Sequence, residues 1–203
     1  MTEQNAPSEP KEHPPSQDHL HLWLSGAVFG ALLLLILFEK VPDKTLPEVF
    51  WVCHAGSFVL GLGLLFRSPV ITGIGLLSHV GFGSIGFLLD VLFVSGKSVV
   101  SWLSHTISPV AGWIAIRRWG GLPRFAPLHT WAFILSLMLF CYLFTPPAMN
   151  INVVHDPWKP FKPYFSTLFT YNLFNSFVAL FLVSTITFIF QKPLKWSWKK
   201  NKM

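Results

Sequence analysis

The chain has 203 residues, of which 52% are hydrophobic and only 12% charged, with a formal net charge of +6. Soluble domains carry about a quarter of their residues as charges, so this balance excludes an ordinary soluble fold and marks an integral membrane protein. The positive excess does not point to nucleic acid: Lys192, Lys195, Lys199, Lys200 and Lys202 follow an apolar run directly, where anionic lipid is the nearer partner.

Residues 1–19, MTEQNAPSEPKEHPPSQDH, are rich in proline and acid and too poor in apolar side chains to build a core, so a disordered tail is expected. The tail sets Glu3, Glu9, Glu12 and Asp18 against a single Lys11, and no small-residue cleavage site follows the first apolar run. That run therefore reads as a retained helix and not as a signal peptide. A membrane-crossing helix needs about 20 apolar residues. Six segments meet this length, at 20–38, 49–66, 70–94, 98–116, 127–144 and 164–190. The expected fold is an all-α six-transmembrane-helix bundle over residues 20–190, followed by a basic tail at 191–203.

Six spans put both termini on one side, with Lys11, Arg67, Arg117, Arg118, Arg124 and the five tail lysines; the other side carries Lys40, Lys44, Lys97, Lys159 and Lys162. Ten against five orients both termini to the cytoplasm. Between the fifth and sixth segments the stretch TPPAMNINVVHDPWKP, residues 145–160, then becomes the longest outer loop. Pro146 and Pro147 stop the helix before it, and Pro157, Pro160 and Pro163 keep the path extended or turning.

Polar residues collect at this outer end. Cys53 and His54 stand about one turn into the second segment, Asp90 about one turn from the end of the third, and His105 about two turns into the fourth, all within about 5–12 Å of the outer boundary. Asn150, Asn152, His155 and Asp156 in the loop cap the same end, and Asn172 and Asn175 are placed to reach it from the sixth segment. Ionisable groups inside a membrane are costly and face a bundle interior or watery cavity, which makes them functional candidates. Plainer roles stand beside that reading. Cys53 suits a small core position, His54 an interfacial ring, Asp90 an ion pair with Lys97 or a bond to His105, and the NIN loop an asparagine-stabilised turn. His79, among glycines in the third segment, suits a hydrogen bond to a neighbouring helix.

Residues 81–86 read GFGSIG, but no strand precedes them and no acidic residue follows at the right interval, so they are no dinucleotide fingerprint. Gly26 with Gly30, and Ser57 with Gly61, suit close helix contact. Cys53 and Cys141 both lie in apolar runs, outside any zinc-type or disulfide-framework spacing; neither a metal nor a cofactor is expected. The partners implied are membrane phospholipids and not nucleic acid, with a homo-oligomer or another membrane protein left open.

LSHTISPVAGWIAIRRWGG, with its H-x-x-x-P, and TPPAMNINVV, with P-x-x-N-I-N, together resemble a family of small bacterial six-span membrane proteins over about residues 50 to 158. That resemblance implies a bacterial inner-membrane location and no activity. WVCHAGSFVLGLGLLFRSP, the glycine-rich third segment, the histidine of the fourth and the asparagine loop are similar, more remotely, to the six-span family whose animal member is a cysteine-dependent acyltransferase acting on ether phospholipids. The chain differs in having W-V-C-H, where that family has an L-H-L-C-like context, and in lacking a tyrosine after N-I-N. This likeness implies Cys53 as nucleophile and His105 as its base.

Three functions follow from these residues. The first is lipid acyl transfer, with Asp90 orienting His105 and Asn150, Asn152, His155 and His54 serving substrate or oxyanion. The second is an electron carrier holding haem between His54 and His105. The third is a noncatalytic assembly partner that docks through the outer loop.

Overall fold

The computed structural model describes residues 19–93, 98–158 and 161–200, with the side chains of Asp90, Phe93, Phe190 and residues 192–200 left aside. The expectations for the tail at 1–18, for Lys97 and for the Asp90 carboxylate therefore lie outside the described residues. Those residues form helices and turns in the order α1 (Leu20–Leu35), α2 (Val52–Leu65), α3 (Pro69–Ser78), α4 (Ser84–Phe93), α5 (Val99–Arg118), α6 (Ala126–Phe144) and α7 (Leu168–Lys200). A π-turn, Ile36–Lys40, extends α1, and another, His79–Gly83, joins α3 to α4.

Among the described residues, five helices are long and apolar enough to cross a membrane: Leu20–Lys40, Pro69–Leu89, Val99–Arg118, Ala126–Phe144 and Leu168–Ile189. Their outward faces suit that setting, since Leu33, Phe38, Leu88, Phe144, Phe169 and Phe181 are all exposed. The expected second span is shorter than its sequence suggests. Residues Leu46–Phe50 wind as a 3-10 turn and Trp51 is extended, so α2 has 14 residues, about 21 Å against a hydrocarbon core of about 30 Å. At the other end of the chain, α7 starts at Leu168 and not at 164, because Lys162–Tyr164 forms a separate 3-10 turn around Pro163.

Helix ends follow local chemistry. Ser68 and Ser98 cap α3 and α5 by accepting from the Ile71 and Ser101 N–H groups. Helix α5 closes with Gly120 at φ +86° and the Gly121 N–H on Ile116 O at 2.9 Å, a Schellman end that glycine adopts without strain. At the end of α2 the same bond runs from Ser68 N to Gly63 O at 2.8 Å, with Arg67 taking the left-handed position.

Helix α2 is the hub, packed against α1, α3 and α5, while α3 leans on α6 and α6 on α7. The α2–α3 seam is built from glycines. A Cβ on Gly63 would stand 2.3 Å from Thr72 N, one on Gly75 2.3 Å from Leu60 N, and one on Gly56 2.6 Å from Ser78 Oγ. Gly61 meets the Phe29 ring of α1. The expectation for Gly26 and Gly30 is corrected: both face open space, because α1 turns their side to the outside and offers the buried Ser25 and Val28 to the bundle. A polar thread crosses this core. The Ser57 hydroxyl donates to Ser108 Oγ at 2.8 Å and lies 2.8 Å from His79 Nδ1, which satisfies groups that apolar surroundings would otherwise penalise.

Candidate functional site

The site is assembled around the first turn of α2. Its first residue, Val52, gives its N–H to Asn152 Oδ1 at 2.9 Å, across 100 positions of sequence. The Asn152 amide donates to Phe50 O at 2.9 Å and to Cys141 Sγ at 3.3 Å. Asn152 thus caps α2 from a distant loop and ties the turn before it to α6. The left-handed backbone at Asn150 and Asn152 is one asparagine tolerates, whereas Val153 at φ +52° is a β-branched residue in a strained conformation. Asn150 orders its own loop, accepting from the His155 and Asp156 N–H groups and donating to Asp156 O.

Cys53 and His54 come next on α2, at the end of the helix where the backbone dipole is positive. His54 Nδ1 lies 3.0 Å from Glu48 O. A carbonyl only accepts, so this nitrogen carries the proton and Nε2 holds the lone pair. The Glu48 carboxylate pairs with Lys40 Nζ at 2.7 Å, which ties the 3-10 turn to the end of the first membrane helix.

His105 arrives from the second turn of α5. Its Nδ1 lies 2.9 Å from Ser101 O, which again leaves the lone pair on Nε2. Phe87 of α4 stacks on the ring at 3.9 Å and 13°. Four residues on, Pro109 has no N–H to give to the His105 carbonyl. His79 is fully buried and its Nδ1 donates to Cys53 O at 2.8 Å. Its ring centre is 5.2 Å from that of His105, and His54 is 5.9 Å from His105 on another side.

One donor atom each from Cys53, His54 and His105 lies within 4.8 Å of the other two. These residues border a cavity of about 530 Å³, inside the range of about 300–1,000 Å³ typical of ligand sites. Much of its wall is apolar and aromatic, from Phe82, Phe87, Trp158, Phe161 and Phe174. Lys40, Glu48 and Asn175 add polarity, and the Asn175 Nδ2 is buried with no hydrogen-bond partner among the described residues.

Cys53, His54 and His105, expected at one depth, are therefore brought together. Asn152 borders the cavity, but both its amide hydrogens are committed to Phe50 and Cys141, so the expected oxyanion donor is a structural cap. Asn150 and His155 are also displaced from the expected role. The first stabilises the loop, and the second stacks on Tyr142 at 5.4 Å outside the cavity wall. The expectation for His79 agrees with its bonds to α2. Sequence reading missed Ser101 and Glu48, which orient the two imidazoles through backbone oxygens. Ser101 had a visible signal, four residues before His105 on one helix face; a carbonyl in a 3-10 turn had none. Family models, curated proteins and solved structures give no match to this chain.

Proposed function

We propose that the chain is a multi-pass membrane enzyme that transfers acyl groups between lipids through a Cys53 thioester. The observation that carries this reading is the Cys53 sulfur within 4.8 Å of a His105 ring nitrogen, beside an apolar cavity able to receive an acyl chain. Catalytic pairs of this kind tighten when substrate binds. The likeness of the Cys53 and His105 stretches to the cysteine-dependent phospholipid acyltransferases agrees with it.

In this reading α2 and its preceding 3-10 turn make a sixth crossing, both termini are cytoplasmic, and the first turn of α2 lies below the outer lipid surface. The NIN loop folds over it and supplies the hydrogen bonds that irregular backbone requires at membrane depth. His105 Nε2 takes the Cys53 proton. The sulfur then attacks a lipid ester carbonyl, forming a C–S bond and a tetrahedral oxyanion. Collapse breaks the C–O bond, and the departing lysolipid oxygen takes the proton back from His105. A second lipid hydroxyl, deprotonated by His105, attacks the thioester, and the sulfur leaves as the thiol. Ser101 O holds the imidazole, and the Asp90 carboxylate, expected as a second orienter, lies outside the described residues. Asn175 is the polar side chain positioned to engage the substrate carbonyl.

A haem between His54 and His105 is less well supported. The porphyrin plane would pass between two imidazoles whose nitrogens both lie within 4.8 Å of the Cys53 sulfur.

The test is acyl exchange between a labelled phospholipid and an unlabelled lysolipid by full-length protein in liposomes. Exchange by the wild type and none by Cys53→Ala supports the reading. Exchange retained in Cys53→Ala, or a covalent acyl adduct at another residue, rejects it.

A further inference from the structure

We infer that Cys53, His54 and His105 form a binding site for a single zinc-class divalent ion. The donor set is one soft thiolate with two imidazoles, the combination that selects zinc or its cobalt analogue over magnesium or calcium. Neither ring is free to turn at random: each holds its Nδ1–H on a backbone carbonyl, Glu48 O for His54 and Ser101 O for His105. That outer contact is the one metal-bound histidines use to present Nε2.

The spacing agrees. With zinc–sulfur bonds of about 2.3 Å and zinc–nitrogen bonds of about 2.0–2.1 Å, tetrahedral donors stand about 3.3–3.6 Å apart. One donor atom from each of the three residues lies within 4.8 Å of the other two, and a bound ion draws the set in to that spacing. His54 follows Cys53 directly on α2 and His105 comes from α5, which makes the site depend on the packing of two helices. Three protein ligands leave the fourth position facing the cavity, the open arrangement of catalytic zinc.

Binding replaces the thiol proton: Cys–SH and the divalent ion give a sulfur–metal bond and a released H⁺, with both imidazoles neutral. The sulfur lone pair is then engaged and His105 Nε2 no longer accepts a proton. Zinc therefore inhibits acyl exchange. The inhibition rests on the thioester reading; the binding does not.

The experiment uses untagged full-length protein in detergent, titrated with Co²⁺ alone. The expected result is one Co²⁺ per chain with a near-ultraviolet thiolate-to-cobalt charge-transfer band. The band disappears in Cys53→Ser and persists in Cys141→Ser. His54→Gln and His105→Gln weaken binding by more than about 100-fold, above the upper loss seen when only a supporting partner of a ligand is removed. Circular dichroism of each variant separates ligand loss from unfolding. Absence of the band in the wild type, or equal binding by a helical Cys53→Ser protein, overturns the inference. Zn²⁺ added to the liposome assay separates the two proposals. Exchange by metal-free protein with no cobalt band defeats the metal site alone. A cobalt band in a protein inactive with and without chelator defeats the acyl-transfer reading alone.

Discussion

Gly83 lies so close to Cys53 that a Cβ added to it would stand 2.6 Å from the Cys53 Cα and 2.8 Å from its backbone nitrogen. The π-turn His79–Gly83 thus seats the first turn of α2 backbone to backbone, and the extra residue of such a turn is a device often found at functional sites. Gly83→Ala should push the thiol away from His105. The expected outcome is a loss of about 1–3 kcal/mol from overpacking with acyl exchange and cobalt binding both abolished. Gly26→Ala, in open space on α1, should instead gain up to about 1 kcal/mol from helix propensity and leave both intact. Thermal unfolding in detergent and the two assays make the comparison.

Asn152 is a positioning residue whose removal should be felt at Cys53. Asn152→Ala deletes the cap on Val52 and the donors to Phe50 and Cys141. Loss of a cap and of buried hydrogen bonds should cost about 1–3 kcal/mol. Exchange should fall mainly through kcat, since the aromatic part of the cavity wall, Phe82, Phe87, Trp158, Phe161 and Phe174, is unchanged. An unchanged kcat in a folded Asn152→Ala protein would show that α2 starts correctly without the loop.

Asn175 should separate stability from activity. Its Nδ2 is buried at the cavity wall with no hydrogen-bond partner among the described residues. Asn175→Leu removes a polar group left unsatisfied by folding and should stabilise the protein by about 1 kcal/mol. The same change should raise KM or lower kcat if the amide engages the lipid carbonyl. A stabilised variant with wild-type kinetics would remove Asn175 from substrate contact.

The two cysteines should react unequally. Cys53 borders the cavity, whereas Cys141 is fully buried and accepts from the Asn152 amide. A membrane-permeant maleimide should modify Cys53 first, and mass spectrometry should find Cys141 labelled only after unfolding. Prior Zn²⁺ should protect Cys53. Equal labelling of both sites would contradict the described packing.

Much of the fold was legible from composition and length. Apolar runs of about 20 residues predict helices through the backbone's need to satisfy itself in lipid, and the expected segments at 98–116 and 127–144 match α5 and α6 to within two residues. The shortening of α2 was not legible, because Val49, Phe50 and Trp51 are apolar enough to continue a helix, yet the turn they leave is held by the Glu48 tie to Lys40 and the Asn152 bond to Phe50 O. Position along the chain alone put Cys53, His54 and His105 in the opening turns of their helices. Whether they meet was decided by tertiary structure. Residues 53 and 105 lie on different helices, and the rotation of each about its axis follows from glycine contacts such as Gly83 on Cys53 and Gly75 on Leu60. Such contacts depend on which backbone lies opposite, and periodicity along one helix carries no record of its neighbour.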